Sequence, residues 1–323
     1  MSVRKSLAVV LAALLAACSP AAKQAAGGPT TIRFATDWRA EAEQGGFYEA
    51  LANGEYARRG LAVTIVPGGP GVNVPQLVAA GAVEMGVGSN SFSVMNLAAE
   101  HVPVKAVAAF MQKDPQVLIA HPDAGIAKIA DMKGHPILLA DASISAFWVW
   151  LKGRYGFTDA QVRKYTFSNA PFLADKSIVQ QGYLTSEPYT IEKQAHLKPA
   201  VFLLADEGYP GYAGMVLAPD RMISGNPAAV KAFVEASAAG WNAYLSGDPA
   251  PGDKLILKDN PEMTEDVLAQ ARDKMRKYQV IGPGTMTDDR WAQFFQVASD
   301  GGVYPKTMDY KAAYTLAFLP PAK

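Results

Sequence analysis

Hydrophobic and polar positions along the chain follow two alternating patterns. Short apolar runs bounded by glycine, proline or polar residues predict buried strands, whereas apolar positions recurring every three or four residues predict helices. Up to residue 121 the first pattern gives strands at 31–35, 61–66, 83–88, 104–111 and 116–121, and the second gives helices at 47–54, 72–80 and 92–100. Three strand–helix units in succession favour a parallel sheet with helices on both faces.

The alternation restarts after residue 123 and predicts a second α/β unit. Its expected strands are at 137–140, 165–167, 183–185 and 200–204, with helices through 147–151 and at 171–181. A strand at 215–217 and helices at 228–244, 264–278 and 288–299 complete the pattern. This order inserts the second unit into the first, so the chain crosses between them twice, near 118–124 and 205–215. Two lobes joined by two crossings form a hinge, and the cleft between them can close on a ligand.

The N-terminus has the pattern of an export signal. A short basic segment precedes an apolar run at 7–17, which is too short to span a bilayer but suits a signal peptide. The run ends in Leu-Ala-Ala-Cys, which resembles a bacterial lipobox, and Cys18 is the only cysteine. We expect a lipoprotein signal peptide at 1–18, lipidation of Cys18 and a flexible tether at 19–30; an ordinary secretory signal is the alternative. The protein would then lie in the periplasm or cell envelope, anchored to a membrane through its lipid.

Composition narrows the classes of function. Half of the 323 residues are hydrophobic, 19% are charged and the formal net charge is zero, so there is no basic excess for binding nucleic acid. Without Cys18 the chain has no thiol for a metal site or a nucleophile. The four histidines are scattered without the spacing of a metal-binding pair, and no serine-hydrolase or zinc-protease motif occurs. We therefore expect no catalytic residues, no metal and no cofactor.

Several candidate ligand residues follow predicted strands, where α/β sheets bind their ligands. Trp38 directly follows the first strand and offers a stacking surface for a planar ring; the alternative is a wedge between sheet and helix. Ser89 and Asn90 stand at a helix start and either receive a polar group of the ligand or only cap the helix. Asp141 and Ser143 are their counterparts in the second lobe, and the aspartate disfavours an anionic ligand.

Further candidates are expected at the lip of the cleft and at the hinge. Glu187 could accept hydrogen bonds from an exocyclic amine, and the nearby Tyr189 could cover a ring. A solvated loop carboxylate is the alternative for Glu187. Tyr212 belongs to the Gly-Tyr-Pro-Gly-Tyr segment of the second crossing, which forms either a wall of the site or only a turn.

Several motifs occur together in a characteristic order. They are Asp-Trp at 37–38, Gly-Gly-Phe-Tyr-Glu-Ala at 45–50, Gly-Leu-Ala-Val-Thr-Ile at 60–65, Pro-Gly-Gly-Pro at 67–70, Gln-Leu-Val-Ala-Ala-Gly at 76–81 and Asp-Met-Lys-Gly-His-Pro-Ile at 131–137. From about 31 to 318 the chain thereby resembles the solute-binding proteins of bacterial ABC importers in the nitrate/sulfonate/taurine and thiamine-precursor group. The resemblance implies a type II-like periplasmic-binding-protein fold of the α/β class, with two parallel-rich sheets and flanking helices. Lobe 1 would comprise 31–120 plus 213–323, and lobe 2 would comprise 121–212.

Within this group the Asp-Trp loop is most similar to that of binders of thiamine-type pyrimidines. Asp37, Trp38 and Tyr48 match that motif, and Gln44 stands where those proteins carry a histidine, so Asp37, Gln44 and Tyr48 join the candidate ligand residues. The resemblance implies a monomer that delivers a small planar heterocycle, such as a pyrimidine thiamine precursor, to a permease in the inner membrane. An organic anion such as a sulfonate or nitrate is the alternative ligand. A pyrimidine-synthesising enzyme on the same fold is disfavoured because the matching histidine and cysteine are absent.

Overall fold

A computed structural model describes residues 28–69, 71–144 and 146–319. The predicted signal peptide, the lipidation site Cys18 and most of the tether lie outside the described residues. The strands are β1 (Thr30–Ala35), β2 (Leu61–Val66), β3 (Met85–Asn90), β4 (Val104–Met111), β5 (Gln116–Ala120), β6 (Ile137–Leu139), β7 (Val162–Lys164), β8 (Val179–Tyr183), β9 (Ala200–Leu203), β10 (Ala213–Pro219) and β11 (Ile281–Gly284).

The helices pack around these strands. They are α1 (Gly45–Ala52), α2 (Glu55–Arg58), α3 (Val74–Ala79), α4 (Ser91–Ala99), α5 (Asp141–Ile144), α6 (Phe147–Tyr155), α7 (Ala170–Ala174), α8 (Glu187–Ala195), α9 (Asp220–Gly225), α10 (Pro227–Ser246), α11 (Ala250–Asp259), α12 (Glu265–Lys277) and α13 (Asp288–Asp300). No helix in the described ranges is both long enough and apolar enough to span a membrane.

The strands form two mixed sheets. The first has the order β11-β4-β10-β3-β1-β2, and the second has the order β7-β6-β8-β5-β9. The expected parallel pairing holds for β1 with β2 and β3, and for β6 with β7 and β8. The sheets are mixed because β10 runs antiparallel between β3 and β4, and β5 runs antiparallel between β8 and β9. The α/β class is confirmed, with strands that cross between the lobes supplying the antiparallel pairs.

The second sheet differs from the sequence prediction at two strands. The strands expected at 165–167 and 183–185 lie at β7 and β8, and the helix expected at 171–181 is only the short α7. The two glutamines in Val-Gln-Gln-Gly-Tyr make this segment look polar in the sequence, but it forms the strand β8, which is buried on both faces. Gln180 donates to the side chain of Asn169 at 2.8 Å, and Gln181 accepts from the backbone of Ala140 at 2.6 Å. Tertiary hydrogen bonds therefore pair the amide N–H of Gln180 and the side-chain oxygen of Gln181, whereas Oε1 of Gln180 is buried without a partner.

Close packing against the first sheet fixes the position of α1. Phe34 on β1 packs against Phe47 of α1 and Phe233 of α10, with ring centroids 4.7 and 4.8 Å apart. The two helices also meet at glycines: a Cβ added at Gly240 would lie 2.1 Å from the carbonyl oxygen of Gly46. This contact holds the start of α1, and with it the preceding loop, at the carboxyl end of β1.

Two short segments connect the sheets, at 112–115 and 204–212. The second segment is held by Arg290 of α13, which donates to the carbonyl oxygens of Pro210 and Gly211 at 2.9 and 2.8 Å. Its guanidinium also lies 3.9 Å from the ring centroid of Tyr212. These contacts anchor the second crossing to a helix that packs beside the first sheet.

The glycine contact predicts that Gly240→Ala destabilises the protein. The added methyl group would force α1 and α10 apart, and overpacking of this kind costs about 1–3 kcal/mol of unfolding free energy. Gly153→Ala in α6 is the matched control, because nothing lies within 4 Å of an added Cβ there. Alanine at that position should stabilise the helix slightly. Equal effects of the two variants in chemical denaturation would contradict the account of the helix contact.

Candidate ligand-binding cleft

A cavity of about 260 Å³ lies between the two sheets. The first sheet and its loops contribute Asp37, Trp38, Glu41, Glu43, Gln44, Ser89 and Asn90, and the crossing strand β5 contributes Gln116. The second sheet and its helices contribute Ala140, Ser143, Ala146, Phe147, Tyr165, Phe167, Gln181, Gly182, Tyr183, Ser186 and Glu187. The cavity is therefore built from both lobes and lies at the carboxyl ends of β1, β3, β6 and β8.

The loop after β1 is held by a glycine in the loop after β2. Gly68 donates its backbone N–H to the carbonyl oxygen of Trp38 at 3.0 Å, and the hydroxyl of Thr36 donates to the same oxygen at 2.9 Å. A Cβ at Gly68 would lie 2.2 Å from the carbonyl oxygen of Thr36. The Pro-Gly-Gly motif thus allows two loops to approach closely enough to fix the backbone of Trp38 beside the cavity.

Gln44 orders the polar end of the same loop. Its side-chain oxygen accepts from the backbone N–H of Glu41 at 3.1 Å. Gln44 and Ser89 both form hydrogen bonds with the carboxyl group of Asp37. The carboxyl group of Asp37 is thus held between the end of β1 and the end of β3.

Four carboxyl groups line the cavity, and none of the lining residues is basic. Burial raises the pKa of Asp37, Glu43 and Glu187 above its usual range. The pKa of Glu41 is raised well above its usual range, first by burial and then by the charges of Glu43 and Glu187. This is the response expected of like-charged groups that share a partly desolvated site. The cavity therefore favours protons or a positively charged group.

Two of these carboxyl groups are held by groups of the second lobe. The hydroxyl of Thr185 donates to Glu43 across the cleft. Glu187 accepts from the backbone N–H of Tyr183 at 2.7 Å and from the hydroxyl of Tyr165 at 3.3 Å. Within the described ranges, no cluster of three or more histidine, cysteine or acidic residues is arranged to hold a metal ion.

Aromatic rings from both lobes meet at the cavity. The ring of Trp38 lies 5.3 Å from that of Phe167, which in turn lies 5.2 Å from Tyr165. Trp38 also forms a hydrogen bond with Glu41, which orients its indole. Phe167 is 54% exposed and has a φ of 60°, a left-handed conformation that is uncommon for a phenylalanine. The rings provide flat apolar surfaces beside the carboxyl groups.

A family comparison identifies the type of protein. The sequence profile of the NMT1/THI5-like family matches residues 41–250, which is more than half of the chain and includes residues from both sides of the cavity. The chain belongs to the NMT1/THI5-like family. Membership confirms the group that the sequence motifs indicated.

Individual relatives of this NMT1/THI5-like protein differ in their named functions. Riboflavin-binding protein RibY of Chloroflexus aurantiacus is 24% identical over 98% of this chain and 93% of its own length. The periplasmic aliphatic sulphonate-binding protein SsuA of Escherichia coli superposes with a TM-score of 0.70 at 15% identity, covering 91% of this chain and 95% of SsuA. The desulfurization enzyme DszB superposes with a TM-score of 0.58 at 12% identity, covering 90% of this chain and 97% of DszB. The structural likeness shows the fold of periplasmic binding proteins, on which both binding proteins and enzymes occur.

Most of the predicted ligand residues line the cavity. These are Asp37, Trp38, Gln44, Ser89, Asn90, Ser143 and Glu187. Asp141 begins α5, but its side chain lies outside the part of the chain that the structure describes. Glu187 is the first residue of α8, where the sequence predicted the end of a strand.

Three predicted tyrosines lie outside the cavity. Tyr48 is buried within the first lobe because α1 turns it away from the cleft, and its hydroxyl donates to Asp259 at 3.0 Å. Tyr189 lies at the outer edge of α8, where its hydroxyl donates to Asp266 at 2.6 Å. Tyr212 is buried at the second crossing beneath Arg290. A tyrosine near the site in sequence can thus be turned away from it by the helix or strand that carries it.

The prediction missed several lining residues. They are Glu41, Glu43, Gln116, Phe167, Gln181 and Tyr183. Glu41 and Glu43 could have been found, because they follow Trp38 in the same loop. Gln181 and Tyr183 were missed because the predicted boundaries of β8 were wrong. Gln116 was missed because in the sequence it looks like the ordinary start of a strand.

The raised pKa of Glu41 predicts how Glu41→Gln changes stability with pH. A carboxyl group whose pKa is raised by folding destabilises the folded protein once pH rises above its ordinary value of 4.5. At pH 8 we therefore expect the ligand-free variant to exceed the wild type in unfolding free energy, because the ionised carboxylate opposes folding there and the neutral amide does not. The difference should shrink as the pH approaches 4.5.

Chemical denaturation between pH 4.5 and 8 measures this difference. Glu100→Gln, at an exposed position after α4, is the control and should leave the unfolding free energy nearly unchanged across the range. A difference between Glu41→Gln and the wild type that does not vary with pH would contradict the raised pKa of Glu41.

Proposed function

We propose that this protein is the solute-binding component of an ABC importer and captures a small planar heterocycle that carries amino groups or a positive charge. The observation that carries the proposal is the cavity with four carboxyl groups, aromatic walls and no basic lining residue. Carboxylates accept hydrogen bonds from amines and stabilise cations, and the faces of aromatic rings stack on planar ligands. A pyrimidine of the thiamine-precursor type combines both properties.

The same lining argues against an organic anion. Sulfonate and nitrate need hydrogen-bond donors or cations, whereas this cavity would place the anion beside Asp37, Glu41, Glu43 and Glu187. The relation to riboflavin-binding RibY over nearly the whole chain also supports a planar heterocycle as the ligand. Riboflavin itself is a second candidate, and the experiment below includes it.

Ligand capture would depend on movement of two lobes. We assign each lobe to one sheet with its helices. β5 belongs to the second sheet, so lobe 1 would comprise about 31–115 plus 213–319 and lobe 2 about 116–212, with the hinge at the two crossings. The structure contains contacts across the cleft that suit a closed form, since Lys193 of α8 pairs with Asp266 of α12 at 2.7 Å and Trp38 meets Phe167. A ligand that touches both lobes would stabilise this form over an open one.

Lipidation of Cys18 would hold the protein at the membrane beside its permease, which would accept the unchanged ligand. Cys18 directly follows the apolar run of the signal sequence and is the position that lipidation requires. The family and the sulfonate-binding proteins among the structural neighbours support binding without a chemical step.

A thermal-shift experiment tests the class of ligand. We expect 4-aminopyrimidine or a substituted aminopyrimidine to raise the melting temperature, whereas methanesulfonate and nitrate should have no effect. At a concentration 100 times its dissociation constant a ligand adds about 2.7 kcal/mol of stability, so binding should be readily detected. A shift with riboflavin alone would select the flavin candidate. A shift with methanesulfonate or nitrate alone would contradict the proposed function.

Substitution of Trp38 tests the stacking surface. Trp38→Ala should weaken binding of the stabilising heterocycle at least tenfold with little loss of folding stability, because the indole is only partly buried in the ligand-free protein. Trp38→Phe keeps a flat ring and should retain most of the affinity. If calorimetry gave both variants the affinity of the wild type, Trp38 would not contact the ligand.

A further inference from the structure

The position of Gln116 is fixed at the point where the chain enters the second sheet. It is the first residue of β5, directly after the first crossing, and it lies opposite Tyr183 of β8 in the sheet register. Its backbone N–H donates to the carboxyl group of Asp114 at 3.1 Å, and its carbonyl oxygen accepts from Leu204 at 3.1 Å. Both crossings therefore hold this residue in place.

The side chain of Gln116 is only 9% exposed and lines the cavity. Its amide group forms a hydrogen bond with the hydroxyl of Tyr183. The side-chain oxygen Oε1 is buried and has no hydrogen-bond partner. A buried acceptor of this kind is unusual in a folded protein, because satisfying it normally gains free energy.

The other amide side chains that line the cavity differ in this respect. Gln44 accepts from Glu41 at 3.1 Å, Gln181 accepts from Ala140 at 2.6 Å, and Asn90 accepts from Phe92 at 3.0 Å. Each of their oxygens is used within the protein. Among the four amides of the lining, Gln116 alone therefore presents an acceptor that the described residues leave unsatisfied.

We infer that Gln116 is a specificity-determining residue whose Oε1 accepts a hydrogen bond from an N–H group of the ligand. The inference rests on the proposed function and adds a requirement to it. A carboxyl group can either accept or donate, depending on its protonation, whereas an amide oxygen only accepts. Gln116 therefore requires a hydrogen-bond donor on the ligand at every pH. This requirement is independent of the preference of the four carboxyl groups for a positively charged ligand.

Tyr183 is the residue that positions this acceptor. Its hydroxyl binds the amide of Gln116, which leaves Oε1 as the free atom of the side chain. Tyr183 lines the same cavity, so a ligand can contact both members of the pair. A ligand of equal shape without an N–H group would leave Oε1 unpaired, and sites built around such a hydrogen bond reject analogues that lack it.

Gln116→Met tests the inference, because methionine has a similar length and no strong acceptor. The probes are 4-aminopyrimidine and 4-methylpyrimidine, which differ in one NH₂ or CH₃ group. By calorimetry at one pH, the variant should bind 4-aminopyrimidine at least tenfold more weakly than the wild type does. Its affinity for 4-methylpyrimidine should change less than threefold.

A second measurement separates ligand recognition from a structural role. Gln116→Met also removes the hydrogen bond to Tyr183, so the melting temperatures of the ligand-free proteins are compared in a Tyr183→Phe background. There, removal of the unpaired buried acceptor should leave the melting temperature unchanged or slightly higher. A residue that only supports the fold would instead lower the melting temperature and weaken both probes equally. Gln76→Met, at an exposed position of α3, is the matched control and should change neither affinity nor melting temperature.

The outcomes distinguish this inference from the proposed function. If 4-aminopyrimidine binds the wild type and Gln116→Met equally well, the role of Gln116 is wrong while the class of ligand stands. If neither 4-aminopyrimidine nor any substituted aminopyrimidine binds the wild type, the proposed function fails and this inference fails with it. A loss confined to the amine-bearing probe supports both.

Discussion

Four carboxyl groups without a basic partner among the lining residues are the constraint on which the cleft depends. Asp37, Glu41 and Glu43 come from one lobe and Glu187 from the other, so bringing the lobes together concentrates negative charge in a partly desolvated space. Protons can relieve this repulsion, and so can a cationic or amine-bearing ligand. The same feature thus links the raised pKa values to the proposed class of ligand.

The supporting structure of the site is uncharged and tightly packed. Glycines allow α1 to meet α10 and allow the loop of Gly68 to reach the backbone of Trp38. Burial of Phe34 between two helices then fixes the end of β1, where the acidic loop begins. Flexible or bulky residues at the glycine contacts would loosen the loop, and with it the alignment of the indole and the carboxyl groups. Apolar packing thereby holds polar groups in an arrangement that they would not adopt by themselves.

Relatives on this fold show that the scaffold does not determine the chemistry. A sulphonate-binding protein, a riboflavin-binding protein and a desulfurization enzyme all align with nearly the whole chain. In this protein the side chains that face the cleft are acidic, amide-bearing and aromatic. The unpaired oxygen of Gln116 would add a hydrogen bond of defined direction to the less directional electrostatic attraction of the carboxyl groups.

The sequence by itself determined the α/β class, the family and the first-lobe wall of the site, because local hydrophobic patterns and a contiguous loop carry that information. β2 and β4 were predicted to the residue, and Trp38 and Asp37 belong to a loop that can be recognised without knowledge of its surroundings. Only the tertiary structure decided the position of β8, the antiparallel insertion of β10 and the exclusion of Tyr48, Tyr189 and Tyr212 from the cavity. Polar residues such as Gln181 become compatible with a buried strand only when distant groups satisfy them. Three of the four carboxyl groups of the cleft lie in one loop of the sequence, whereas only the tertiary structure brings Glu187 to that loop from more than 140 residues away.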